Sequence, residues 1–485
     1  MNIYNSDTHR TFRFSHLLLA LLTSFLFFTS SSASSNELDV DQKTAIEGLM
    51  QQTLETAHFP SAVIQIDKGG KTIYEKALGI ADLEHNIPAT MNTAYGMGSI
   101  TKSFTGLAAI QLAYAGKLDL DKPVSEYLPD YEGPGSITTI RQLLSHTSGI
   151  PNYTSPAEIP GIQEGLKRTA YSRQQMVDFF DSLPLNFEPG SKWNYTNSGY
   201  YLLGLVIEAV SGMDYYDYLQ ANIFDPLEMT RTYFGDDSQI IPGRARGYGL
   251  DSNGYVNAPT WSYLVPFSAG SLVSTADDLV KYRRGVFHSE HFPPALREML
   301  LQTTTMTGGE LNYYTNGLIV SDFYGRKKIS HAGSIWGYTS NHAYYPEEDI
   351  TIIILVNRQA EAPALPSTEA KIARVIFGIP QPEIKDLVQN EDILQRYAGN
   401  YGLHPFILGQ HTYGFIANEG KLFIRFGGTD AEGPMIPLLA QGDGLFRAIF
   451  DDEWTFQFNY KAGEDKADSL VSHFMDGTFP AQRKD

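Results

Sequence analysis

Residues 96–116 read GMGSITKSFTGLAAIQLAYAG. Its Ser99-Ile100-Thr101-Lys102 opens an apolar helical pattern carried by Phe104, Leu107, Ile110 and Leu112. Residues three apart share a helix face, so Lys102 lies within reach of a Ser99 hydroxyl that needs a base. Gly96 and Gly98 permit close backbone approach before the serine, and Gly116 stops the helix at the C′ position. A serine at a helix N-terminus also sits beside free N–H groups that can hold an oxyanion. Standing alone, S-x-x-K arises often by chance, and a helix-start serine with a solvated lysine reads equally well.

Two later motifs change that balance. Tyr195-Thr196-Asn197 lies in SKWNYTNSGYYLLG, and His331-Ala332-Gly333 lies in KKISHAGSIWGYTSNHAYY. With these three in order, the chain resembles the serine β-lactamase and penicillin-binding-protein superfamily. The nearest branch is class C β-lactamases, D-Ala-D-Ala carboxypeptidases, D-aminopeptidases and β-lactamase-like esterases. LLSHTSGIPNY, FSAGSLVSTADDL and the strand-like ITIIILVN agree, and the resemblance spans about residues 40–378.

The resemblance implies that Ser99 forms an acyl-enzyme, with Lys102 or the Tyr195 phenol as the base. Tyr195 would pass the proton to the leaving group, and Asn197 would donate to the substrate acyl chain or to Lys102. The oxyanion would be held by the backbone N–H groups of Ser99 and Ser334, donors worth roughly 3–4 kcal/mol each to the acylation barrier. Gly333 would keep a side chain away from the approaching substrate. At His331 β-lactamases of this class usually carry lysine, and Ala332 stands where several carboxypeptidases have threonine. A substrate carboxylate prefers a cation and a hydroxyl, so this pair argues against a dedicated β-lactamase. His331 would instead serve Tyr195 or an ester oxygen.

The 485 residues suffice for two or three domains, and 42% hydrophobic content fits a substantial core. A net charge of −19 argues against nucleic acid or anionic membrane as partners. His9, Arg10 and Arg13 precede an apolar stretch over 17–28 and a small-residue run ending near Ala33, which reads as a signal peptide over 1–33 cleaved after Ala33. Membrane contact is then limited to that segment before cleavage. Zero cysteines exclude a lipid-modified cysteine, disulfides and thiolate metal sites. The expected location is secreted or periplasmic.

Ala62–Ile66 and Lys71–Glu75 flank Lys68-Gly69-Gly70, a hairpin signal. Further strands are expected over 315–324, 326–331, 338–345 and 350–357. Helical patterns run over Thr101–Ala115, Ile140–Ser145, Arg173–Ser182, Gly199–Val210 and Asp277–Val286. Strands at both ends with helices between give an α+β domain over 37–378, an antiparallel sheet flanked by helices. The order and layering are those of the β-lactamase/transpeptidase family. After a linker at 379–394, short runs at Lys421–Phe426, Leu445–Phe450, Trp454–Tyr460 and Leu470–Phe474 predict a small all-β barrel-like domain over 395–485. It resembles the lipocalin-like domain that often follows this hydrolase domain.

His146 in LSHTSG reads as structural, Tyr153 and Trp336 as pocket-rim aromatics, Asn357 as a strand-end residue. His288-Ser289-Glu290-His291 reads as a solvated loop rather than a metal site. Segments 154–190 and 236–266 are expected pocket walls. No G-x-S-x-G elbow exists, which excludes an α/β-hydrolase. The chain therefore reads as a cofactor-free, metal-free serine hydrolase for esters or D-amino-acid peptides, cell-wall peptide included. The alternatives are a β-lactamase and a non-turning-over penicillin-binding sensor.

Overall fold

A computed structural model describes residues 37–484 except 160, 161, 163–165, 167–170, 236–238, 260, 261, 310, 361–363, 403–411, 450, 452, 462, 475 and 476. The signal-peptide reading of 1–33 falls outside the described residues.

The expected hairpin is strands β1 (Ser61–Lys68) and β2 (Lys71–Asp82), turned by Gly69 and Gly70 at φ of 58° and 77°. The late strands are β3 (Leu318–Phe323), β4 (Arg326–Ile335), β5 (Tyr338–Tyr345) and β6 (Ile350–Val356). They run antiparallel in the order β3-β4-β5-β6-β1-β2, with two-residue strands at Tyr314–Thr315 and Ile87–Pro88 closing the ends of an eight-stranded sheet. The two ends of the domain meet where β1 pairs with β6, Ala62 opposite Val356 through Lys68 opposite Ile350.

The expected strand at 315–324 is in fact a second hairpin. Asn316 and Gly317 turn it at φ of 50° and 82°, the two left-handed residues that a tight hairpin turn demands. That turn lies against the main-chain oxygen of Lys102: a Cβ on Gly317 would come within 2.1 Å of it.

Helices cover both faces. On one side lie α1 (Val40–Thr56) and, after the sheet, a C-terminal helix at Ala364–Phe377, packed on Ile64, Ile66, Ile352 and Ile354. On the other lie α2 (Thr101–Tyr114), α3 (Asn197–Ser211) and α4 (Ala276–His288), packed on Val63, Ile329, Ile353 and Leu355. Every residue of β6 is buried, as a strand covered on both faces must be. Helix α2 is buried almost all round, because α3 and the short helix Phe267–Gly270 enclose what the sheet leaves open. We call the Ala364–Phe377 helix α5.

The C-terminal strands close an eight-stranded antiparallel barrel, from Gly399–Gly402 to Gly477–Arg483, sealed by Tyr401 opposite Arg483. Its interior is aromatic: Tyr401, Tyr413, Phe415, Trp454, Phe456, Phe458 and Phe479. The four expected runs are all strands, and Tyr413–Asn418, Ile436–Gly442 and Gly477–Arg483 add to them.

Candidate active site

Ser99 sits in the 3-10 turn Gly98–Ile100, which runs straight into α2. The strand-like segment before it is pinned to the sheet. Met97 N–H donates to Leu272 O at 2.8 Å, and Ser340 Oγ donates to Met97 O at 2.7 Å. Three glycines allow this approach. A Cβ at Gly98 would lie 2.8 Å from Ser334 N, one at Gly96 2.8 Å from the Tyr338 ring, and one at Gly333 1.9 Å from Met97 O. The reason for glycine at 333 is therefore this crossing of backbones, a nearer obstacle than any incoming substrate. Ser99 and Ser334, on either side of this crossing, both line the cavity described below.

Lys102 Nζ lies 3.1 Å from Ser99 Oγ and donates to Asn197 Oδ1 and to Ala269 O, both at 2.7 Å. Its side chain is wholly buried, and no carboxylate among the described residues forms an ion pair with it. Burial pushes its pKa well below the ordinary lysine value. The Tyr195 ring lies beside this pair, with Lys102 Nζ 4.8 Å from its centroid. Burial raises the Tyr195 phenol, an effect the neighbouring Ser99 hydroxyl opposes. Asn197 begins α3 and donates its Nδ2 to Thr154 Oγ1 at 2.7 Å.

Ser99, Tyr195, Asn197, Thr154 and Ala269 line a cavity of about 400 Å³ with Gly98, Asn152, Tyr153, Leu166, Val265, Pro266, Gly270, Ser334, Ile335, Trp336 and Gln359, and Lys102 lies behind them. No lining side chain is charged. Thr154 and Leu166 come from one expected wall segment, Val265 and Pro266 from the other. Sequence reading missed Asn152, Gln359 and the Ala269 carbonyl. The last lies in the quoted phrase FSAGS, but a carbonyl's role leaves no mark on residue type.

His331 is not at the cavity. It is buried on β4, with Nε2 2.9 Å from Tyr314 Oη. The contact shown for its Nε2 is this phenol, where the sequence led us to expect Tyr195 or an ester oxygen. His288 Nε2 pairs with Asp349 Oδ1 at 2.8 Å while His291 Nε2 meets Asn222 O at 3.1 Å, so the two histidines serve different partners. Among the described residues there is no group of three metal-ligating side chains.

A protein-family model described as Beta-lactamase matches residues 46–376. Protein flp of Staphylococcus aureus (strain MRSA252) is 30% identical over 335 residues, 66% of this chain and 64% of that protein. The chain thus spans just under two thirds of the length of such relatives. The octameric penicillin-binding protein homologue from Pyrococcus abyssi superposes with a TM-score of 0.62 at 26% identity, covering 92% of this chain and 100% of that one. The D-amino acid amidase from Ochrobactrum anthropi SV3, solved with L-phenylalanine amide, gives 0.61 at 25% identity, over 70% of this chain and 99% of that one.

Proposed function

The chain belongs to the beta-lactamase family, and from that premise we propose that it is an exported serine hydrolase. Its substrates are esters or D-amino-acid amides that carry no free carboxylate beside the scissile bond. The observation that carries the reading is the buried Lys102 amine 3.1 Å from Ser99 Oγ.

A neutral amine has two N–H bonds and one lone pair. Asn197 Oδ1 and Ala269 O take the two hydrogens, which leaves the lone pair for the Ser99 hydroxyl. Burial favours that neutral amine, and it also keeps Tyr195 a protonated phenol. The directions assign Lys102 as the base and Tyr195 as the donor. Ser99 Oγ attacks the carbonyl carbon and its proton passes to Lys102. The oxyanion is met by the Ser99 and Ser334 amides. As the intermediate collapses, the Tyr195 phenol protonates the leaving alcohol or amine and is itself reprotonated from Lys102. Water then attacks the acyl-enzyme by the reverse proton path and releases the acid.

The substrate class follows from charge. A carboxylate in the cavity would find no cation in its lining, with His331 turned to Tyr314 and Ala332 in place of a hydroxyl. The amidase relative acts in the same direction as this reading. Export rests on the segment 1–33, and cell-wall peptide or a small amide is the partner it implies.

Time-resolved intact-mass spectrometry with p-nitrophenyl butyrate, D-phenylalanine amide and benzylpenicillin tests it, wild type against Ser99→Ala. Expected are turnover of the first two and a slow, persistent penicilloyl adduct, all lost in Ser99→Ala. Rapid release of hydrolysed penicillin would mean a β-lactamase. Absence of any adduct or turnover would remove the nucleophile.

A further inference from the structure

We propose that His146 is the positioning residue that holds the Tyr195 phenol against Ser99. The inference rests on the reading of Tyr195 as the proton donor. Three observations converge on it. The His146 carbonyl accepts the N–H of Asn194 at 2.9 Å, and its Nδ1 accepts the N–H of Thr196 at 3.2 Å. These are the two residues that flank Tyr195, so one residue grips the backbone on both sides of the phenol. Between the grips the imidazole ring lies against the Tyr195 ring, centroids 4.2 Å apart. Finally, His146 has φ of 57°, just past the helix Ile140–Leu144. That left-handed position is uncommon for any residue with a side chain, and histidine and asparagine are among those that enter it most readily.

Accepting a main-chain N–H at Nδ1 fixes the tautomer: the proton sits on Nε2. That Nε2–H has no oxygen or nitrogen partner and is ringed by Tyr195, Tyr200, Tyr314 and Trp193. A second proton would set Nδ1–H against the Thr196 N–H. Complete burial, with Lys102 and His331 near, holds the imidazole neutral well below the ordinary histidine value. His146 thus acts as an acceptor and a wall, and the Tyr195 phenol is held beside Ser99 because both neighbours of its backbone are fixed.

The step served is protonation of the leaving group, so its loss is felt most where the leaving group is poor. His146→Leu removes the Nδ1 acceptor. His146→Asn restores an oxygen at the Nδ1 position and tolerates the left-handed backbone. Turnover of D-phenylalanine amide and the burst-phase acylation rate with p-nitrophenyl butyrate are measured for both, with melting temperature and Tyr195→Phe as references. The expected result for His146→Leu is a kcat for the amide lower by about 10- to 100-fold, with KM and the p-nitrophenyl ester rate changed by less than about threefold. His146→Asn recovers most of the amide rate. In a Tyr195→Phe background His146→Leu costs nothing further. Equal loss on both substrates, or equal loss in His146→Leu and His146→Asn, would overturn the positioning role. Should His146→Leu fail to fold, His146→Asn still decides: an amide rate as low as that of Tyr195→Phe overturns it. If Tyr195→Phe itself keeps full amide turnover, the fault lies with the assignment of Tyr195 and not with His146.

Discussion

In the reading proposed above, Lys102 is the residue on which the chemistry turns, since it must be uncharged to accept the serine proton. Its ammonium has been taken out of water with two neutral acceptors and no carboxylate, and desolvation of that kind disfavours the charged form. The sign for activity follows. With pKa lowered, Lys102 is neutral above that value, and acylation is lost as pH falls through it. The kcat/KM for p-nitrophenyl butyrate is expected to show an acid limb of unit slope far below the titration range of an exposed lysine. A limb near pH 10 would exclude Lys102 as the base. Lys102→Ala should lower kcat by about 10²–10⁴-fold, the span of general acid–base assistance. At this scale the meeting of Ser99, Lys102, Tyr195 and Asn197 was legible, because helix spacing puts Lys102 beside Ser99 and the family resemblance supplied the Y-x-N pair. The destination of His331 was not. Its residue type says that an imidazole is present, but its partner Tyr314 is contributed by the hairpin before β3, whose position depends on the whole sheet.

Elements reach the site through a few polar locks, and the tightest is Asn357 just past β6. Its Oδ1 accepts from Ser61 N at 2.7 Å and Ser61 Oγ at 2.8 Å, and its Nδ2 faces Ile80 O, Ala81 O and Arg246 O at 3.1–3.3 Å. One fully buried amide thereby fastens the start of β1, the end of β2 and the loop at 246 to the strand that joins the domain's two ends. Asn357→Ala takes the side-chain acceptor from the Ser61 N–H in the interior, while Ala81 O keeps the Arg246 N–H at 2.9 Å. A loss of about 2–4 kcal/mol is expected in urea unfolding, with the m-value unchanged. A cost within about 0.5 kcal/mol would mean that water replaces the amide. The hairpin around Gly69-Gly70 could be seen in sequence, and Asn316-Gly317 carried an equally strong turn signal that a single long strand obscured. Neither Asn357 nor the crossing of residues 97–98 over Gly333 could be seen, because each depends on segments more than two hundred residues apart.

The whole molecule has separate apolar interiors joined by narrow contacts. The barrel core shares no buried member with the cores on either face of the sheet. Its short, regularly spaced strands between Gly and Asp turns made the barrel legible, whereas the polar pairs that dock it leave no periodic trace. Ser367 and Arg374, seven residues apart on one face of α5, reach across: Ser367 Oγ to Asp451 Oδ1 at 2.6 Å and Arg374 Nη2 to Glu453 Oε2 at 2.8 Å. Tyr313 meets Phe479 edge-on at 5.6 Å. The opposite face of α5 is held to α1 by Thr53 and Thr368, so α5 is bonded to both sides of the junction. Arg374 and Glu453 are 6% and 8% exposed, and removing one partner of such a pair strands the other charge. Glu453→Ala should therefore cost about 3–5 kcal/mol, spent at the junction and not in either core. The barrel should melt first, by roughly 10 °C or more, followed through Trp454 fluorescence and calorimetry. No barrel residue lines the catalytic cavity, so the Ser99 acylation rate at 25 °C should stay within about twofold of wild type. A single transition shifted as a unit would show that barrel and hydrolase unfold as one cooperative body, with α5 transmitting the loss to the sheet.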